Sequence, residues 1–325
     1  MKSPSAASAC SPAHAGELTF TPAGVDAGIT FVRKLGEKVA TIPAMVSNVI
    51  KRPRRTCLKN GTLHIETVEH CLAALTGLGV TNATVTLSGS TTGEIPMGDG
   101  SSEAFAEVLE DAGVIEQDRP IEPLIIRKPL QVNLGDATLA ALPGPTDKLE
   151  IIYDFEAGPP VGRQVFVFHL GEDDFRKNLS PARTFVFEHE AEELKKRGFG
   201  GHLTPKDLLV LGEQGPIDNA FRFDNECVRH KVLDLIGDLT LTGRPIFGRL
   251  VAHQVRARAQ SPDGAQARRA RRQHLAGKPA EPRNVRDGHS ADSAHPAAPV
   301  PDAAGRSGAR NPGRRPCDRR QKCHE

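Results

Sequence analysis

The stretch Glu226-Cys227-Val228-Arg229-His230-Lys231-Val232-Leu233-Asp234-Leu235-Ile236-Gly237-Asp238 decides how this chain is read. It reads as a helix over residues 225–237. At about 3.6 residues per turn, positions i and i+4 share a helix face, so His230 and Asp234 lie together. Asp238 continues that face one turn further on. A histidine and a carboxylate so placed can hold two corners of a metal ion, and a distant histidine can supply a third. Three protein ligands leave the fourth corner for water, which separates a catalytic zinc site from a closed structural one. Working outward, Thr67-Val68-Glu69-His70 opens an apolar run with Leu72, Ala73, Ala74 and Leu75. His70 is the candidate third ligand and Glu69 a candidate base beside it. Each pair has a plainer reading. A His/Asp pair at i,i+4 often only stabilises its helix, and Glu69-His70 also reads as a capping carboxylate before a partly buried histidine.

Strand-like stretches lie at 17–23 and 28–34, and 38–50 alternates. A helix is expected over 67–78 with Thr67 as its N-cap, then a strand over 82–87 and a helix over 102–112. Residues 119–123 read as a linker. A similar order follows, with strands at 124–126, 130–132, 137–141, 149–155 and 164–168. Helices at 188–197 and 225–237 come next, and a strand over 246–253 closes the series. This order predicts an α+β protein with two similar domains, residues 16–118 and 124–253. Residues 1–15 read as a disordered N-terminus and residues 254–325 as a disordered tail.

Composition divides the chain at the same point. From Gln254 onward there is no Ile, Phe, Tyr, Met or Thr, and Leu275 is the only Leu. That tail holds 16 Lys/Arg against 7 Asp/Glu, whereas residues 1–253 hold 26 against 33. The acidic body argues against nucleic-acid binding by the folded part. The Arg268-Arg269-Ala270-Arg271-Arg272 cluster is not read as a binding patch. The six cysteines form no C-x-x-C pair and read as incidental thiols of a reducing compartment. No apolar run approaches the roughly 20 residues of a membrane span, and residues 1–15 lack a signal-peptide core. The expectation is a cytoplasmic protein without stable membrane insertion.

Taken together, the motifs resemble the zinc-dependent UDP-3-O-acyl-N-acetylglucosamine deacetylases of lipid A biosynthesis. The likeness covers Thr67–Gly79, Glu94-Ile95-Pro96-Met97-Gly98-Asp99-Gly100-Ser101, Ala182-Arg183-Thr184-Phe185 and Phe223–Leu239. It implies two domains, each a small β-sheet with a pair of helices, packed with the helices between the sheets. It implies Zn2+ on His70, His230 and Asp234, with Glu69 as general base. Thr184 would donate to the oxyanion, Lys231 would add positive charge near substrate and intermediate, and Phe185 would line the sugar site. Asp238 would orient a further histidine that protonates the leaving amine. The acyl chain would lie near residues 187–199. The substrate would be UDP-3-O-acyl-N-acetylglucosamine and the protein a monomer. Another zinc amidohydrolase acting on an acetylated sugar, or an inactive zinc-binding pseudoenzyme, are the rival readings.

The sequence departs from the family after His253. The family pattern there is a Lys- or Arg-led Ser-Gly-His-Ala-Leu-Asn-His, but this chain reads Gln254-Val255-Arg256-Ala257-Arg258-Ala259-Gln260-Ser261-Pro262-Asp263-Gly264. Codons for those residues, read one base later, can encode Lys-Ser-Gly-His-Ala-Leu-Asn-His-Arg-Met. The expectation is a reading-frame shift at Gln254, loss of the general-acid histidine and impaired activity. At the other end, His14-Ala15-Gly16 matches only the end of the family's first turn.

Overall fold

The computed structural model describes residues 7–10, 16–196 and 209–256. Its first sheet has strands β1 (Ala7–Cys10), β2 (Glu17–Pro22), β3 (Ile29–Leu35) and β4 (Lys38–Pro43). A small three-stranded sheet follows, made of β5 (Val49–Ile50), β6 (Cys57–Asn60) and β7 (Leu63–Glu66). Then come α1 (Glu69–Gly77), β8 (Ala83–Ser88) and α2 (Glu103–Ala112). The second half runs β9 (Leu124–Ile125), β10 (Leu130–Leu134), β11 (Ala137–Leu142), β12 (Leu149–Ala157) and β13 (Gly162–Leu170). It continues with α3 (Phe175–Asn178), β14 (Phe185–Phe187), α4 (Glu188–Lys196), β15 (Leu209–Leu211), α5 (Glu226–Thr240) and β16 (Ile246–Arg256).

The two larger sheets repeat one layout, so the fold is α+β with an internal echo. The first has strand order β1-β2-β8-β3-β4 and the second β10-β11-β16-β12-β13. In each, a late strand enters the middle and pairs parallel with one neighbour and antiparallel with the other: β8 with β3 and β2, β16 with β12 and β11. Period-two burial explains the strands. Ala83, Val85 and Leu87 of β8 face the core, as do Leu149, Ile151, Phe155 and Ala157 of β12, while their neighbours are less buried. The helix layer lies between the sheets. α5 packs on β12 and β13, α1 on α5, and α2 on α1 and β1.

Helix α1 is buried all round from Glu69 to Leu75. Its contact with α5 is close because α5 carries Gly237. A Cβ there would overlap the carbonyl oxygen of Glu69. Glycine costs about 0.5–1 kcal/mol in a helix interior relative to alanine, and here the gain is backbone-to-backbone approach. Thr76 and Thr240 hydroxyls meet at 2.6 Å further along the same interface.

Four expectations are corrected. Residues 7–10 are not disordered: Ala7 pairs with Phe20 and Cys10 with Glu17 on the edge of the first sheet. Small residues give no alternating signal, whereas the backbone ladder with β2 places that strand on the sheet. Thr67 is not the α1 cap. Its φ is +61°, a conformation a β-branched residue adopts only under constraint, and its hydroxyl donates to Glu94 at 3.2 Å. Helix α5 runs past Gly237 to Thr240, which brings Asp238 into it. Strand β16 runs past His253 to Arg256, because β12 offers partners as far as Ala157. Tyr153 Oη also donates to Gln254 Oε1 at 3.0 Å. The rest of the expected tail, residues 257–325, lies outside the described residues, as do His14, Ala15, Arg197 and Phe199.

One part of the second sheet is poorly covered. Leu130, Val132 and Leu134 of β10 are 65, 56 and 85% exposed. Their register through Leu139 to the buried Ala252 puts them on the core-facing side. The counterpart strand β1 carries α2; among the described residues β10 has no such cover.

Candidate metal centre

Helices α1 and α5 deliver the site from opposite halves of the chain. His70 sits in the first turn of α1, His230 and Asp234 one turn apart on α5. Both histidines are buried and Asp234 partly so. His70 Nε2 is 3.4 Å and His230 Nε2 3.3 Å from Asp234 Oδ1. The imidazole rings meet edge to face, with centroids 4.9 Å apart and planes at 82°. One ligand atom from each residue lies within 4.8 Å of the other two.

The donor set suits a divalent metal of zinc type: two imidazole nitrogens and one carboxylate oxygen. The proton arrangement suits it too. His230 Nδ1 faces the Ala182 carbonyl at 3.1 Å, which assigns the proton to Nδ1 and leaves the Nε2 lone pair toward Asp234. Burial, only partly offset by Asp234, lowers His230 to about 4, so the ring is neutral. For His70, burial works against charge, but the hydrogen bond and charge of Asp234 outweigh it and raise the pKa. Burial also opposes ionisation of Asp234, yet His230, Lys231 and His70 hold it far below the carboxylate range. A proton on His70 thus stands where a cation's charge would be.

The remaining candidates surround this triad. Glu69 is buried beside His70, and Oε2 accepts the Thr56 backbone N–H at 3.1 Å. Burial chiefly pushes it up to about 7; His70 opposes this and Asp234 adds to it. Lys231 Nζ donates to Asp234 Oδ2 at 2.7 Å, and lies 5.9 Å from the Phe185 ring centre. Phe185 is buried among Phe155, Phe187 and His230, with centroids 5.8, 6.3 and 6.4 Å away. Thr184 lies on the segment whose Ala182 carbonyl holds His230, and its N–H donates to Gly100 at 2.8 Å. Gly100 has φ +81° and approaches the Thr184 side chain so closely that a Cβ would collide with it. Asp238 is exposed on one side. The part withdrawn from water pushes it up to about 6, against the Thr56 hydroxyl that donates to it at 2.6 Å.

Such an array, with a base-forming carboxylate next to a three-ligand site, matches what hydrolysis of an amide requires. The sequence model of the family described as UDP-3-O-acyl N-acetylglycosamine deacetylase matches residues 11–258. The chain belongs to this family. Deacetylase-family relatives carry the name UDP-3-O-acyl-N-acetylglucosamine deacetylase. One from Myxococcus xanthus is 37% identical over 238 residues, which is 73% of this chain and 74% of the relative. One from Chlamydia caviae is 39% identical over 242 residues, covering 72% and 83%. One from Chlamydia abortus is 38% identical over 240 residues, covering 72% and 83%.

Two features of this deacetylase-family site escape a reading by sequence. Thr56 binds Glu69 through its N–H and Asp238 through its hydroxyl, and its carbonyl accepts from Thr67 and Val68. Arg183 and Glu226 form a buried ion pair at 2.8 Å behind His230. Neither has a short-range spacing signature, since their partners lie 11 to 182 residues away. Helix α5 places Glu226 in its first turn, where the N-terminal dipole favours an anion.

Proposed function

We propose that this chain is a zinc-dependent deacetylase that hydrolyses the N-acetyl group of UDP-3-O-acyl-N-acetylglucosamine and releases acetate, in lipid A biosynthesis. The observation that carries the reading is the convergence of His70 Nε2 and His230 Nε2 on Asp234 Oδ1. Family membership and the names of the relatives support the substrate. His70, His230 and Asp234 would hold a zinc ion, which would supply Lewis-acid chemistry at the amide carbonyl and a water molecule. Glu69, a carboxylate buried beside His70, is placed to take a proton from that water. The Thr56 N–H holds Glu69 Oε2 at 3.1 Å. Thr184, on a segment fixed at Ala182 and Gly100, donates to the developing oxyanion, an interaction typically worth about 3 kcal/mol. Lys231 adds positive charge beside the same oxygen, and Phe185 walls the sugar site.

No described helix is long and apolar enough to cross a membrane. We place the activity in the cytoplasm, with the nucleotide sugar as partner and the protein a monomer. The acyl chain is assigned to the region from Phe187 onward.

A second reading is favoured by one observation. Where the family pattern has its histidine, this chain has Gln254–Gly264, and Asp238 engages the Thr56 hydroxyl. A zinc-binding protein with weak or no turnover fits that sequence, as does an amidohydrolase on another acetylated sugar. Acetate release from UDP-3-O-acyl-N-acetylglucosamine, against a panel of acetylated sugars, separates the three. Glu69→Gln is expected to retain about one zinc per chain and lose most turnover. Zinc loss as deep as in His70→Ala would make Glu69 structural instead.

A further inference from the structure

Behind His230 sits a buried ion pair between Arg183 and Glu226. The Glu226 side chain is 0% and that of Arg183 7% exposed. Glu226 Oε1 accepts from the Arg183 backbone N–H at 3.0 Å and from Arg183 Nε at 2.8 Å. Its Oε2 accepts from Arg183 Nη2 at 3.2 Å and from the Arg222 backbone N–H at 2.7 Å. Arg183 also donates to Asn219 Oδ1 at 2.9 Å and to the Ala220 carbonyl at 2.6 Å. Desolvating two charges is expensive, and a buried pair is often no more stabilising than apolar groups of the same size. What this pair does achieve is geometric. It ties the segment around residue 183 to the first turn of α5. On that segment the Ala182 carbonyl meets His230 Nδ1 at 3.1 Å, and His230 lies one turn after Glu226 on the same helix.

We propose that Glu226 and Arg183 are positioning residues for the metal centre: they hold the Ala182 carbonyl on His230 Nδ1, so that His230 presents its Nε2 lone pair to the site shared with His70 and Asp234. The inference rests on the metal reading of the site. A partner on the far ring nitrogen fixes both tautomer and ring orientation, and losing such support typically costs roughly 10–100-fold in metal affinity.

The test uses the full chain and zinc alone. Affinity is read by competition with a chromophoric chelator, and the His230 tautomer by nitrogen NMR on the metal-free protein. Glu226→Gln keeps the side chain's shape but turns one acceptor into a donor. The double variant Arg183→Met/Glu226→Leu removes both charges together and leaves no unpaired ion, so it guards against simple unfolding. Both are expected to bind zinc at least tenfold more weakly than the parent, and the double variant to do so without a matching loss of melting temperature. His230 is expected as the pure Nδ1–H form in the parent and as a mixture in the double variant. A folded double variant with parental zinc affinity and parental tautomer overturns the proposal. So does a parent whose His230 carries its proton on Nε2, whether or not any variant folds. A parent that binds no zinc overturns the metal reading instead, and the tautomer comparison still decides the positioning role.

Discussion

Burial couples the protonation of Glu69 to folding. Its ordinary value of 4.5 is raised to about 7 in the folded chain. Between those two values the native state keeps a proton that the unfolded chain has lost. The contribution of Glu69 to the stability of the metal-free protein therefore declines as pH rises from about 4.5 to 7 and levels off above that, by the linkage of proton uptake to folding, while His230, lowered to about 4, contributes the opposite slope. Glu69→Gln removes this slope. Relative to the parent, the variant is expected to gain on the order of 3 kcal/mol between pH 4 and pH 8, at 1.36 kcal/mol per pKa unit. Denaturant unfolding at the two pH values measures the difference, and an unchanged difference would mean that Glu69 is solvated. His70, His230, Asp234 and Glu69 could be singled out in the sequence because their chemistry is written in short spacings. Thr56, Arg183 and Glu226 could not, since their roles come from hydrogen bonds between segments that only the folded chain brings together.

Between elements, the decisive contact is α1 against α5. Gly237 meets the carbonyl of Glu69, the residue before a proposed ligand, so helix separation and ligand separation are set by one contact. Gly237→Ala is expected to destabilise the fold by about 1–3 kcal/mol through overpacking. It is also expected to weaken zinc binding, by moving His70 away from His230 and Asp234. Thermal melts and chelator competition read the two effects, and a destabilised variant with parental zinc affinity would separate helix spacing from the site. The long elements were legible from periodicity: β8, β12, α2 and α5 fall within a few residues of expectation. The sheet of β5, β6 and β7 was not. Its strands are two to four residues long and include Lys59, Asn60, His64 and Glu66. In β7, Leu63 and Ile65 do alternate with His64 and Glu66, but four residues are too short a run to stand out, and the sheet owes its place to the turn at Gly61 and to pairing. Thr67 misled because its sequence position suits a cap, whereas tertiary bonds at Glu94 and Thr56 hold it in a left-handed conformation.

For the whole molecule, the internal echo points to where the second sheet is thinly covered among the described residues. In the first sheet α2 covers β1; in the second, Leu130, Val132 and Leu134 of β10 stay exposed on the core-facing side. The sequence after Gln254 holds a single large aliphatic residue other than valine, Leu275. A gene restored by one base at the codon for Gln254 is expected to yield a protein that melts higher. Burying one such side chain contributes about 1.5–3 kcal/mol. The restored protein is also expected to turn over faster, with a pH-rate profile that gains an acid-dependent limb from the recovered histidine. Identical melting temperature and turnover for both versions would establish the segment after His253 as the native one.

The central place of β16 has a consequence in time. A chain leaves the ribosome at about 5–20 residues per second, and domains tend to close as they emerge. The first sheet has its middle strand once Ser88 is made. The second has to wait for Ile246–Arg256, so β11 and β12 stand apart, each with an unsatisfied edge, for on the order of 10 s. Until then their backbone groups are open to neighbouring chains, the condition in which strands join the wrong partner. His70 is synthesised early and His230 late, so the two histidines of the proposed metal site come together only in the final moments of assembly. An error in the last part of the message therefore falls on the step that closes the second sheet, after most of the cost of making the protein has been spent.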